Sequence, residues 1–460
     1  MKKSVLKYQF SIKKESELDK LSHKELLEYI KDLQKNITQE KPPKNSNNSS
    51  ISPSSEIAPS KKRNCSLREK SNRSVGGQPG RVGATLHRSD TPDKIIKLPY
   101  TLTQCKKCHM DQSDVIAVLK ERRQILDIEL SSIAQTITEY QSFSKKCQFC
   151  GYDNHDNKAF IVAPNISYGH TLIAIVSYLS VSQYMSNMRI VALLKNLFNI
   201  TMSEGSITGL LAKASNLSQH EINKISTVLQ KASVVGIDET GCKVDGSKHW
   251  HWTFQNEHNT LIVANKSRGT KVITDTFENG FKNACVVHDN YSSYSSLECK
   301  SEQLCLAHKL RDINYAIECD DTKVMKDIKD LLKEAMQEHK ETLTQTQRIY
   351  LKHHYEKTLD YLLSRPFIEK SETHKQLKSL TRAKDKIFTF LLNETIPPDN
   401  NGSERAIRNI KVKMKVSGQF KSLSGAQNYA TLRSIIDTSR KRGFNEFESL
   451  VSVVQGNSLF

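Results

Sequence analysis

Three acids in three local settings are the residues of this chain best placed to do chemistry: Asp238 in VVGIDETG, Asp289 in ACVVHDNYSSY and Glu404 in PPDNNGSERAIRN. The first two close short β-type apolar runs, Val234 to Ile237 and Ala284 to Val287. The third sits near the start of a basic, helical segment. Carboxylates gathered in one place repel one another unless a hard cation such as Mg²⁺ or Mn²⁺ neutralises them. Two such cations can activate a water or a 3′-hydroxyl on one side of a phosphodiester and stabilise the leaving oxygen on the other. Taken singly, each acid has an ordinary explanation as a strand-end or helix-cap residue. Together, in a chain of formal charge +18, they point to a nuclease or transferase acting on nucleic acid.

A second constellation is Cys105, Cys108, Cys147 and Cys150, two CxxC pairs among ten cysteines. Each pair can present two thiolates from a tight turn, and four thiolates complete a tetrahedral structural Zn²⁺ site with no open position for catalysis. The 39 positions from Cys108 to Cys147 exceed the common finger spacings. The intervening RQILDIEL and TITEYQSF are strand-like and would form a ribbon returning the second pair to the first. Free cysteines are the alternative reading.

Seven regions are expected to position these groups. Residues 1–40 carry leucines and isoleucines at helical spacing, which suits a short coiled coil or a lone amphipathic helix. Residues 41–97, rich in Ser, Asn, Pro, Lys and Arg, read as a disordered basic linker, and 98–155 as the zinc-binding region. Residues 165–230 are helical. There Asn199 to Met202 form a turn and Ser203 an N-cap, fitting a helix-turn-helix DNA-binding domain or a plain helical bundle. The core spans 231–315 and 395–445: VVGID, HWHWTFQN and TLIVANKS as a hairpin meander, a helix near Lys271–Phe277, the strand ACVVHD, and a strand-like run ending at His308. An α-helical insertion over 316–394 separates Asp289 from Glu404. The last core helix is expected to start at Asn400 or Asn401, after Pro397-Pro398. Residues 446–460 read as a tail.

The balance of charge makes a polyanion the expected partner. No run of about 18 apolar residues and no apolar leader segment occurs. The expectation is therefore a soluble protein that binds no membrane, cytoplasmic and nucleoid-associated.

IDETGCKVDGSKHWHWTF, VVHDNYSSY, QLCLAHKLRDI and PPDNNGSERAIRNIKVKMKVSGQF, in that order, resemble the IS66-family transposases of bacterial insertion sequences. GGQPGRVGATL, the twin CxxC pairs and the helices after Tyr168 resemble that family's linker, zinc-binding region and central domain, so the likeness runs over about residues 20–455. It implies a DDE transposase with an α/β, ribonuclease-H-like (retroviral-integrase-type) catalytic core. Asp238, Asp289 and Glu404 would be its catalytic ligands for Mg²⁺ or Mn²⁺. Glu239, His308, Arg311, Arg405 and Arg408 would support the site or contact DNA. Leu306 stands where the family has Trp, and Ser403 where it has Ala. The resemblance further implies nicking at the element's ends, joining of the 3′-OH to target DNA, a homo-oligomer in the synaptic complex, and companion proteins encoded by the element. Two other readings remain: a ribonuclease-H-like nuclease without strand transfer, and a non-catalytic, domesticated DNA-binding protein using the zinc and helical regions.

Overall fold

The computed structural model describes Ser22 and residues 86–129, 134–155, 166–289, 291–294, 297–339, 341–365 and 371–459. The expected N-terminal helix and the linker up to residue 85 lie outside these residues, Ser22 apart. The chain divides into two compact units, one including Cys305–Glu394 and the other Cys65–Leu304 with Thr395–Phe460.

The larger unit begins with a sheet of β1 (Lys94–Lys97), β2 (Val118–Glu129), β3 (Ala134–Lys146), β4 (Asp153–His155) and β5 (Ile166–Tyr168). β2 and β3 form the expected antiparallel ribbon, from Val118↔Ser144 to Glu129↔Ala134, with one register shift between Leu119 and Glu121. β1 pairs parallel with β3, inside the stretch read as linker. Its β-branched Ile95-Ile96 gives four residues enough strand preference to add an edge, so the linker ends before Lys94.

Four helices follow: α1 (His170–Ser177), α2 (Asn187–Phe198), α3 (Glu204–Leu217) and α4 (Gln219–Gln230). The turn between α2 and α3 is as the sequence suggests. Asn199 takes the left-handed conformation at φ 52°, and the Ser203 hydroxyl accepts from the Ser206 amide, which satisfies a first-turn donor.

A second sheet is formed by β6 (Val234–Val244), β7 (Ser247–Gln255), β8 (Thr260–Asn265), β9 (Phe281–His288) and β10 (Cys299–Leu304), with α5 (Lys271–Thr276) between β8 and β9. The strand order is β10-β9-β6-β7-β8. β6, β7 and β8 pair antiparallel, while β9 and β10 are parallel to β6 and to each other. The β6–β7 hairpin is longer than read from sequence, because Asp245-Gly246, both at positive φ, make the two-residue turn that suits a twisted hairpin. The Trp252, Phe254, Phe277 and Phe281 rings pack together beneath the sheet.

The smaller unit is helical: α6 (Leu306–Asp320), α7 (Lys323–Glu338), α8 (Gln345–Leu363) and α9 (Glu372–Ala383). It buries Met325, Ile328, Leu332, Tyr355, Leu359, Leu380, Phe388 and Phe390. It starts at Cys305 rather than 316. The strand-like run also stops short of His308, since the apolar LCLA straddles a strand end and a helix start that periodicity cannot separate.

The larger unit closes with α10 (Asn401–Ser417), α11 (Leu423–Lys441) and α12 (Glu446–Val454). α11 covers the open edge of the sheet. The Thr260 amide donates to Thr438 Oγ1 at 3.0 Å and the Ile262 amide to Ser434 Oγ at 2.8 Å, so backbone donors that an edge strand would expose find partners. α12 corrects the expectation of a tail. Its Leu450, Val453 and Val454 are buried, an apolar face at helical spacing that joins the core.

Candidate active site

Register brings the two aspartates side by side. Val235 pairs with Val286 and Gly236 with Val287 on parallel strands. Continuing that register by two residues sets Asp238 opposite Asp289, on the same face of neighbouring strands about 4.8 Å apart. Asp238 is not at a strand tip as the sequence suggested, because β6 runs on to Val244 against β7. It lies where β9 stops at His288, so β6 loses its neighbour on that side only. Beyond β9 the chain turns, and the Asp289 carboxylate accepts from the Tyr291 amide at 3.0 Å.

Glu404 is delivered by the N-terminus of α10, where its charge suits the helix dipole. A set of small, buried contacts presses this helix onto β6. Asn400 Nδ2 donates to the Ile237 carbonyl at 2.7 Å, and the Ser403 hydroxyl donates to Asn400 Oδ1 at 2.7 Å. Gly236 has no side chain to interfere: a Cβ there would lie 2.4 Å from Gln255 Nε2, 2.7 Å from Asn400 Oδ1 and 2.9 Å from Ser403 Oγ. Gly402 meets Gln255 in the same way, at 2.6 Å. The NNGSE segment is thus built for close approach, and Ser403 serves it with a hydroxyl.

The acids act on one another electrostatically. The half-buried Asp238 carboxyl is pushed well above the usual carboxylate range, first by loss of solvent, then by the charges of Asp289 and Glu239 and, more weakly, Glu404. Such mutual repulsion is what an oxygen-ligated divalent cation would relieve, so the donor set fits Mg²⁺ or Mn²⁺.

Glu239, one residue on, points away from Asp238 as strand alternation requires. It is buried, receives Arg268 Nε at 2.8 Å and Nη2 at 2.6 Å, and accepts from the Tyr294 hydroxyl. Arg268 in turn stacks on Trp250 at 4.5 Å and Tyr291 at 3.7 Å. This ties β6 to the turn that carries Asp289. Behind Asp289, buried His288 pairs with Glu302 of β10 at 2.9 Å. Arg405 and Arg408 are exposed on α10. His308 and Arg311 lie in the opening turns of α6, which belongs to the other unit.

One contributor was not assigned a role from sequence. Burial pulls the Lys411 ammonium below its ordinary range, and the Asp238 carboxylate opposes that shift, so Lys411 lies within electrostatic reach of Asp238. Seven residues are about two helical turns, which puts Lys411 on the face of Glu404; that spacing was the available signal.

The four cysteines also converge. Their sulfurs all lie within 4.8 Å of one another, with Cys105–Cys150 at 3.6 Å and Cys108–Cys147 at 3.3 Å. Four sulfurs around one zinc stand roughly 3.8 Å apart, given bonds of about 2.3 Å in a tetrahedron. The two turns match. His109 and Gly151, each just after the second cysteine, take positive φ. Their amides donate to the Cys105 and Cys147 carbonyls, both at 2.9 Å. The cluster can hold a tetrahedral metal ion.

A family model described as "Transposase IS66 family" matches residues 165–428. That span holds all three acids and leaves the cysteine cluster outside it. Among curated proteins, none matches the chain. Among the described residues no helix is long and apolar enough to cross a membrane.

Proposed function

The chain belongs to the IS66 family of transposases, and from that premise we propose that it is a DDE-type DNA transposase whose metal-binding acids are Asp238, Asp289 and Glu404. The family suggests DNA transposition, and the observation that supports this particular site is the electrostatic convergence of the three carboxyls. The sheet order β10-β9-β6-β7-β8, three antiparallel strands followed by two parallel ones, supports a ribonuclease-H-like core.

In this reading Asp238, Asp289 and Glu404 supply oxygen ligands for Mg²⁺ or Mn²⁺. Divalent cations held there provide the charge stabilisation and nucleophile activation that in-line phosphodiester displacement needs. The rest of the chain's contribution is positional. Gly236, Asn400 and Ser403 fix the distance from helix to strand, and the Glu239–Arg268–Tyr294 contacts hold the Asp289 turn against β6. Lys411 brings a positive charge to the same face, while Arg405 and Arg408 are free to meet backbone phosphates of element ends and target DNA. His308 and Arg311 are proposed to support the substrate. The cysteine cluster is proposed as a structural Zn²⁺ site, and the α2–α3 region as a DNA-binding element. A homo-oligomeric synaptic complex, companion proteins of the element and a nucleoid-associated, cytoplasmic location complete the proposal.

The test is a nicking and joining assay on a labelled element end. Asp238→Ala and Glu404→Ala should abolish Mg²⁺-dependent nicking and keep end binding. Cleavage by these variants at the wild-type rate would remove the mechanism. A wild-type protein that nicks yet never joins a 3′-OH end would identify a nuclease instead.

A further inference from the structure

Away from the acids, the larger unit contains a cavity of about 360 Å³, within the size range of small-ligand sites. Three helices start at its wall. Ser186 and Asn187 open α2, Glu204 opens α3, and Ser422 with Gly425 opens α11. Their lengths are 12, 14 and 19 residues, so each brings first-turn amides and the positive end of a helix dipole. Each capping serine occupies only one amide: Ser186 accepts from Arg189, Ser203 from Ser206 and Ser422 from Gly425.

Lys413, on α10, is the observation that points to a ligand. It is 7% exposed, lines the cavity, donates to the Ser180 carbonyl at 3.3 Å and the Met185 carbonyl at 3.2 Å, and lies over the Tyr429 ring at 5.9 Å. Two of the three N–H donors of the ammonium meet carbonyls, and no carboxylate pairs with Lys413 among the described residues. A buried cation without a counter-charge is costly, and burial accordingly draws its pKa down to about 8. Lys421 is exposed in the wall, and the one acid lining the cavity, Glu204, is also exposed. Phe420, Tyr429 and Leu432 give the same wall an apolar face. The ligand that suits these surfaces has an anionic group joined to a flat or apolar body.

We propose that this cavity binds one nucleotide, its phosphate on Lys413 and the N-terminus of α11 and its base or sugar against Phe420 and Tyr429. The nucleotide could be free or part of a DNA strand, and the phosphate chemistry is common to both. The proposal stands whether or not the carboxylates cleave DNA.

Calorimetry on the full-length protein in Mg²⁺-free buffer, with inorganic phosphate, thymidine 5′-monophosphate and a short single-stranded oligonucleotide, tests it. Thymidine monophosphate should bind more tightly than phosphate, and Lys413→Met should weaken it about tenfold or more, the loss of a charge-assisted contact. Lys421→Gln, at an exposed position that leaves folding intact, should weaken it severalfold. Asp238→Ala should leave it unchanged, which separates this pocket from the acid cluster. A preference for the oligonucleotide assigns the pocket to a strand, and a preference for the mononucleotide to a free ligand; both support it. Absence of binding by all three probes, or binding that Lys413→Met and Lys421→Gln both leave intact, would overturn it.

Discussion

Replacing Gly236 with alanine perturbs the site without touching any acid. The added Cβ would lie 2.4 Å from Gln255 Nε2, where ordinary contacts begin at 3.4 Å, so the surroundings must give by 3.4 − 2.4 = 1.0 Å. None of the neighbours yields easily. Lys441 Nζ holds Gln255 Oε1 at 2.7 Å, while Asn400 is 2% and Ser403 0% exposed. Overpacking of this kind costs about 1–3 kcal/mol, a fall of roughly 3–10 °C in thermal midpoint for a unit this size. The larger effect should be on activity. The strain falls on the helix end that carries Glu404, and a misplacement of about 1 Å in a reacting constellation costs on the order of a hundredfold in rate. Gly241→Ala is the control, on the same strand, since its Cβ would meet nothing nearer than 3.6 Å. Thermal melts and single-turnover nicking of both variants decide the matter. A Gly236→Ala protein as stable and as active as Gly241→Ala would refute the idea that close approach at β6 sets the position of Glu404.

Further outcomes follow from particular contacts. Asn400→Ala removes the donor to the Ile237 carbonyl and the acceptor for Ser403, both buried; it should cost about 1–3 kcal/mol in denaturant unfolding and slow nicking. Burial draws the His251 imidazole down to about 4 from its usual 6.5, so the folded state needs it neutral. That contribution is whole above pH 6.5 and is lost as pH falls toward 4, by roughly 3 kcal/mol at the end; His251→Phe should therefore melt higher than wild type at pH 4.5 and lose that advantage at pH 7.5. Stripping metal from the cysteine cluster with a zinc-selective chelator should raise hydrogen exchange across β2 and β3, with Cys108→Ser showing the same change before chelation.

The three acids were legible because each sits in a short, patterned motif, and the strand preceding each aspartate announced itself through β-branched residues. Their convergence was not derivable from pattern alone. It rests on the parallel register of β6 with β9 and on a helix returning after the inserted unit, both long-range pairings. The need for glycine at Gly236 and Gly402 was hidden, since only the packed helix shows what a Cβ would strike. The β6–β7 arms were underestimated because Glu239 to Lys243 are polar, and tertiary burial of Glu239 by Arg268 and Tyr294 overrides that signal. The CxxC pairs gave the sulfur cluster, but His109 at positive φ was hidden, as glycine is the usual residue there and only Gly151 conforms. Lys413 read as one more lysine on a basic helix; nothing local distinguishes a buried ammonium from a solvated one.

The account turns on whether Asp238, Asp289 and Glu404 hold metal together. Crystals soaked in Mn²⁺ and measured for anomalous scattering should show manganese within ligand distance of all three carboxyls, and Asp289→Asn crystals should lose or weaken it. Manganese absent from that site at millimolar concentrations, or bound elsewhere on the chain while the three acids stay uncoordinated, would contradict the assignment.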